Sequence, residues 1–268
     1  MTGSTTATTA SYETVTELPG TGATREQLSM LATRYHLAAD LAAGGDVLEV
    51  ACGAGIGLGY LAGKARRVVA GDFDYRMLRI AHDHYGRRVA LHQLDAQYLP
   101  FDDATFDSVL LLEAIYYIPQ AERFVAEARR VLRQDGTLLI CSANREWSVF
   151  NPSPFSIRYY SARELEEILF RNGFTVQLMA GFATNGHGQG MRSHVFGVLR
   201  KAAVGLHLIP ATMRGKARLK RLLYGKLDPM PVELTDGTGE LEPLVPIDKR
   251  QIVTDHKVIY AIGRVEAR

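Results

Sequence analysis

The stretch Asp46-Val-Leu-Glu-Val-Ala-Cys-Gly-Ala-Gly-Ile-Gly-Leu-Gly-Tyr-Leu-Ala62 joins an acid, a set of glycines and a helical pattern in one short span. Its apolar residues Val47, Leu48 and Val50 run into Gly53, Gly55 and Gly57, and from there into the helical pattern. A strand, a tight turn and a helix start in that order bring a backbone close to a nucleoside cofactor. The spacing departs from a dinucleotide fingerprint, whose third glycine falls here on Leu58. A pyrophosphate needs bare amides at a helix N-terminus. The acid Glu49 suits instead a cationic cofactor with an amino-acid tail. Two more acids follow: Asp72 ends a second apolar run, where ribose hydroxyls usually meet a carboxylate, and Asp95 follows a third. An acid at such a strand end is costly unless it accepts hydrogen bonds from a ligand. Any one of the three alone reads as a turn or cap residue, whereas the ordered set reads as a nucleoside site.

The elements that must position these residues alternate in type. Helical spacing runs over 25–43, through Leu28, Leu31, Tyr35, Leu37 and Leu41. The first strand is expected at 46–51, the second at 68–71, the third at 89–94, the fourth at 106–112, the fifth at 137–141 and the sixth at 174–181. Helices are expected at 75–84, at 120–133 and from the cap Ser161 to Phe170, where Glu164 completes a capping box. This alternation implies a doubly wound α/β parallel sheet with helices on both faces. The last strand-like run, His256 to Val265, pairs antiparallel with the sixth strand if residues 182–255 are an insertion between them. That insertion has helical patterns over 193–206 and from the cap Thr212 to Gly225, and then turns Pro-rich. It would cap a substrate or pair two copies of the chain. Residues 1–18, rich in Thr and Ser at their start, read as a mobile tail, or as one that folds over a ligand, ahead of a single domain over 19–268.

At 268 residues the chain can bury one sizeable core. Its apolar runs are far too short to span a membrane, and its first residues lack the basic start and apolar core of a secretory signal. Cys52 in the glycine turn and Cys141 in a strand form no disulfide framework or metal cluster, so a reducing cytoplasm is expected and no metal. The net charge of +2 is uneven: residues 200–227 carry eight Lys and Arg and no acid, leaving −6 elsewhere. A local basic segment suits a specific anionic contact, a membrane-surface contact or a solvated helix face, rather than general nucleic-acid affinity.

The ordered motifs over about 25–181, with the last strand, closely resemble the class I S-adenosylmethionine-dependent methyltransferases. Leu48-Glu-Val-Ala-Cys-Gly-Ala-Gly55 is similar to the family's first motif, with Ala51 where glycine is usual. Ala70-Gly-Asp-Phe-Asp-Tyr-Arg-Met-Leu78 is similar to the second-strand motif. Leu99 to Asp107 and Arg130 to Gly136 resemble the stretches before the fourth and fifth strands. The resemblance implies a Rossmann-like sheet of seven strands in the order 3-2-1-4-5-7-6, strand 7 antiparallel. It implies S-adenosyl-L-methionine as cofactor, with S-adenosyl-L-homocysteine as product. Glu49, Ala51, Gly53, Gly55 and Leu112 would then line the cofactor, Asp72 would accept from both ribose hydroxyls, Phe73 would pack on the adenine, and Asp95-Ala96 would meet its edge.

Methyl transfer from a sulfonium is an in-line displacement, so the protein must align the reacting atoms and exclude water. The stretch after the fourth strand, Leu112-Glu-Ala-Ile-Tyr-Tyr117, lacks the Asp/Asn-Pro-Pro-aromatic sequence of nucleic-acid amino methyltransferases. A small-molecule acceptor is expected, with Glu113, Tyr116 and a loop histidine, His187, as candidates to orient or deprotonate its hydroxyl or phenol. An anionic carrier-linked acceptor held by 200–227 is the alternative, and a non-catalytic cofactor-binding scaffold is a third reading.

Overall fold

The computed structural model describes residues 16–153, 155–184 and 227–266. The helical patterns expected over 193–206 and 212–225, nearly all of the basic segment, and His187 lie outside the described residues.

In chain order the elements are β1 (Gly22–Ala23), α1 (Arg25–Leu41), β2 (Asp46–Val50), α2 (Leu58–Ala62), β3 (Arg67–Asp72), α3 (Tyr75–Tyr85), β4 (Ala90–Gln93), β5 (Phe106–Leu112), α4 (Ala121–Val131), β6 (Leu132–Ala143), α5 (Ala162–Arg171), β7 (Phe174–Ala183), β8 (Asp228–Pro229), β9 (Val245–Pro246) and β10 (His256–Val265). Local chemistry sets the helix starts. Thr24 and Gln27 close a capping box on α1, Asp74 caps α3, and Ser161 with Glu164 caps α5 as expected.

The main sheet runs β4-β3-β2-β5-β6-β10-β7-β9. The pairs from β4 through β6 are parallel, while β10 lies antiparallel between β6 and β7. The expected seven-strand order is therefore present, with one strand more. The addition, β9, holds the edge of β7 through Met179↔Pro246 and Ala180↔Val245. Pro246 has no N–H to extend the ladder, which suits an edge.

One boundary moves. The helix expected to reach Arg133 ends at Val131, and β6 begins at Leu132. Leu132 pairs with Phe106, the register then shifts, and Thr137 resumes pairing at Ser108. Arg133 is thereby delivered to Asp46 (3.0 Å) and Asp107 (2.7 Å), at the end of the sheet opposite the glycine turn.

The pleat sorts β2 between two cores. Leu48 and Val50 pack with α4 and α5 residues such as Phe124 and Leu165. Val47 packs with Leu31, Tyr35 and Ala38 of α1. Glu49 shares the α1 side with Val47, so an acid occupies a core position.

Residues 16–18 are not loose. Glu17 is bonded to Arg34, and Thr21 N–H donates to Leu18 C=O at 3.1 Å. Gly20 N–H then donates to Met230 C=O (2.8 Å), Met230 N–H to Thr21 C=O (2.7 Å), and β1 pairs antiparallel with β8. From there the chain reaches the glycine turn, where Leu234 N–H donates to Ile56 C=O at 2.7 Å. No helix among the described residues is long and apolar enough to cross a membrane.

Candidate functional site

The turn after β2 is built from three glycines with three different tasks. Ala51, Gly53 and Gly55 all have positive φ (57°, 56° and 77°), which folds the chain sharply after Val50. A side chain on Gly53 would meet only the Thr16 methyl carbon, at 3.1 Å, so this residue leaves the concave side open. A side chain on Gly55 would strike Leu58 (2.9 Å), Ala81 (3.0 Å) and Tyr85 (3.3 Å). The missing side chain of Gly55 lets the turn pack on α3. Gly57 makes room for the Tyr35 ring, which lies 2.0 Å from where a Cβ would stand.

Glu49 is 1% exposed. Its Oε1 accepts from Tyr35 Oη at 2.6 Å, and its Oε2 is buried with no hydrogen-bond partner. Burial pushes its carboxyl from the ordinary 4.5 up to about 7; Tyr35 and Arg34 oppose the shift, and Asp72 adds to it. Asp72 accepts from Gly53 N–H and Asp74 N–H, each at 2.8 Å. Burial raises its pKa against those amides. Asp95 accepts from Gln97 N–H at 2.8 Å. The strand ends carrying these acids are in register, with Val50 opposite Gly71 and Asp72 opposite Gln93. Beside Asp72, Phe73 is 65% exposed, a free aromatic face. Ala51 and Ala96 are partly buried, and Leu112 is buried.

The second group of side chains follows β5. Glu113 has φ +55°, unusual for a residue with a side chain, and its N–H donates to Cys141 C=O at 2.8 Å. Its carboxylate accepts from Tyr116 Oη (2.9 Å) and Cys141 Sγ (3.6 Å). Burial raises the Glu113 pKa, and Arg34 works against that rise. Tyr116 stacks on Tyr159 with centroids 4.3 Å apart, Tyr117 meets Tyr116 edge-on at 4.6 Å, and Phe150 meets Tyr159 edge-on at 4.6 Å. An aromatic wall therefore stands beside a carboxylate. The structure brings Glu113 and Tyr116 together.

Three contributors escaped the sequence reading. Tyr35 registered only as an apolar position of α1, yet it is the partner of Glu49. Arg34 lies in a run of core-facing positions and is buried. Tyr85 Oη donates to Gly55 C=O at 2.8 Å and accepts from Gly59 N–H at 3.1 Å, pinning the turn to α3. The signal for Arg34 was its place on the apolar face of α1, where a cation needs an anion.

Glu49 gives a pH prediction. Its folded pKa is raised, so the stability it contributes is complete below about 4.5 and is lost as pH climbs through about 7. The loss amounts to roughly 3 kcal/mol across that window. Glu49→Gln should flatten the fall in melting temperature between pH 5 and 7.5; an equally steep fall in the variant would show that another group is responsible.

The arrangement fits a cationic nucleoside with an amino-acid tail. Gly53 leaves a cradle, Glu49 Oε2 lacks a partner, Asp72 is held by amides of the turn itself, and Phe73 offers its ring. The comparisons agree. Residues 48–140 match the family model described as a methyltransferase domain. A probable S-adenosylmethionine-dependent methyltransferase of Mycolicibacterium smegmatis is 36% identical over 59% of this chain and 61% of its own length. A demethylmenaquinone methyltransferase of Thermobifida fusca is 34% identical over 42% of this chain and 52% of its own. The chain thus spans about half to three fifths of the length of these curated relatives. A crystal structure of a methyltransferase from Thermotoga maritima, titled a possible histamine N-methyltransferase, superposes with a TM-score of 0.58 over 90% of this chain and 92% of that one, at 17% identity, a likeness of fold.

Proposed function

We propose that this chain, which carries the class I S-adenosylmethionine-dependent methyltransferase domain, transfers the cofactor's methyl group to a hydroxyl or phenol oxygen of a small organic molecule. The observation that carries the reading is the buried carboxylate edge: Glu49 with a free oxygen, Asp72 fixed on the Gly53 amide, and Asp95 beyond the next strand. When bound, the cofactor supplies a methyl group already activated on a cationic sulfur.

The chain's own residues do the rest. Asp72 accepts from the ribose hydroxyls, with its carboxylate oriented by the amides of Gly53 and Asp74. Phe73 covers the adenine, Asp95 and Ala96 meet its edge, and Glu49 faces the amino-acid end. Tyr116, Tyr117 and Tyr159 give a flat acceptor a wall to lie on. That wall would orient the acceptor oxygen towards the methyl group that the cofactor would supply. The acceptor proton passes to Glu113, whose carboxyl burial raises above its ordinary value, which strengthens it as a base. Tyr116, also raised by burial and by Glu113, keeps its proton and orients that carboxylate.

A relative named for demethylmenaquinone supports a small quinone-like acceptor. The reading of an anionic carrier-linked acceptor rests on residues 200–227, nearly all outside the described residues. Two measurements test the proposal. S-adenosylhomocysteine should bind in calorimetry, and Asp72→Ala should weaken it by roughly 1–3 kcal/mol, about five- to 150-fold in Kd. Labelled methyl should pass to members of a phenol and alcohol panel. Tight binding with no transfer to any extract would favour a scaffold.

A further inference from the structure

Arg34 projects from α1 with 9% of its side chain exposed, and its ion partner is Glu17. The contact uses one terminal nitrogen, while the buried Nε has no hydrogen-bond partner. A guanidinium presents a planar fork that suits a carboxylate held through two nitrogens. Glu17 thus engages a site able to hold a carboxylate better. Arg34 is also within electrostatic reach of Glu49 and Glu113, the acids at the ends of the two central strands. It therefore belongs to the same end of the site.

The segment that brings Glu17 lies over the glycine turn. Its side chain is 33% exposed. Thr16, next to it, lies against the open side of Gly53, at 3.1 Å from where a side chain would begin. The chain turns at Gly20 (φ +78°) and from there is fixed by pairing with 228–230. Residues 16–18 precede that fixed turn.

We propose that Arg34 is a carboxylate seat, filled by Glu17 in the cofactor-free chain and yielded to the α-carboxylate of the cofactor's amino-acid end, so that residues 16–18 leave the glycine cradle as the cofactor enters. The proposal rests on the reading of this chain as a binder of S-adenosylmethionine. Charge favours the exchange. One carboxylate replaces another on Arg34, while the incoming ammonium lies nearer Glu49, whose ionised form burial disfavours.

The test needs no turnover. Calorimetry with S-adenosylhomocysteine should give a Kd about three- to tenfold tighter for Glu17→Gln than for the unaltered chain, because a competing occupant has been removed. 5′-Methylthioadenosine, which lacks the amino-acid end, should gain less, because it needs the cradle cleared but not the carboxylate seat. Arg34→Gln should weaken S-adenosylhomocysteine at least tenfold, and adding Glu17→Gln to it should change nothing further. An unchanged or weaker Kd in Glu17→Gln overturns the exchange while leaving cofactor binding intact, as does equal tightening of methylthioadenosine. If the unaltered chain binds neither nucleoside, the function proposed above falls too.

Discussion

Gly53→Val is expected to abolish measurable cofactor binding while the chain still folds. The two glycines of the turn differ in what their missing side chains would meet. At Gly53 the space holds only the Thr16 methyl, on the side where a cofactor must approach. Valine there fills the cradle and also sits at φ +56°, a conformation costing a branched residue about 1–2 kcal/mol. The melting temperature should fall by a few degrees and binding by at least about 100-fold, near 3 kcal/mol. Gly55→Val should behave differently: its branches run into Leu58, Ala81 and Tyr85, so it should lose stability first. Thermal melts and calorimetry on both variants separate the two outcomes. A Gly53→Val chain that binds S-adenosylhomocysteine normally would move the cofactor away from this turn.

Glu113→Gln carries the second large effect. The substitution keeps the shape and a hydrogen-bond acceptor for Tyr116 but removes the ability to take a proton. If Glu113 is the base, kcat should fall roughly 10²–10⁴-fold. The Kd for S-adenosylhomocysteine should stay within about twofold, since uniform binding is untouched. The pH profile adds an independent sign. A base must be ionised, and burial holds the Glu113 carboxyl above its ordinary value. On that reading the rate of the unaltered chain should fall as pH drops through that raised pKa, and the acid limb should vanish in the variant. A normal kcat would leave the acceptor to deprotonate into water.

The seven long strands and the three strand-end acids were legible because each is written locally. Apolar runs, glycines and caps encode them within a few residues. The strand order and the antiparallel placement of β10 came from the resemblance that those motifs carry. The partners of those acids were not legible. Tyr35 and Glu49 are joined across the packing of α1 on β2, and Glu17 with Arg34 across the packing of the segment before β1 on α1. Spacing along the chain does not register such meetings. The short strands β1, β8 and β9 escaped for a related reason: two residues show no periodicity, and only their partners make them strands. The start of β6 was masked by Arg133, which continues the helical charge pattern while its side chain serves Asp46 and Asp107. Gly57, read only as a departure from a nucleotide fingerprint, proved to be set by the Tyr35 ring.

The β1–β8 ribbon has a consequence for how the molecule is made. The parallel core from β2 to β6 can assemble while the rest of the chain is still being synthesised, since its strands are consecutive apart from the β2–β5 neighbour. Residues 22–23 must wait for 228–229, which follow the whole parallel core in the chain, before they find their pairing partners. The ribbon over the glycine turn therefore closes only after the parallel strands beneath it have been made.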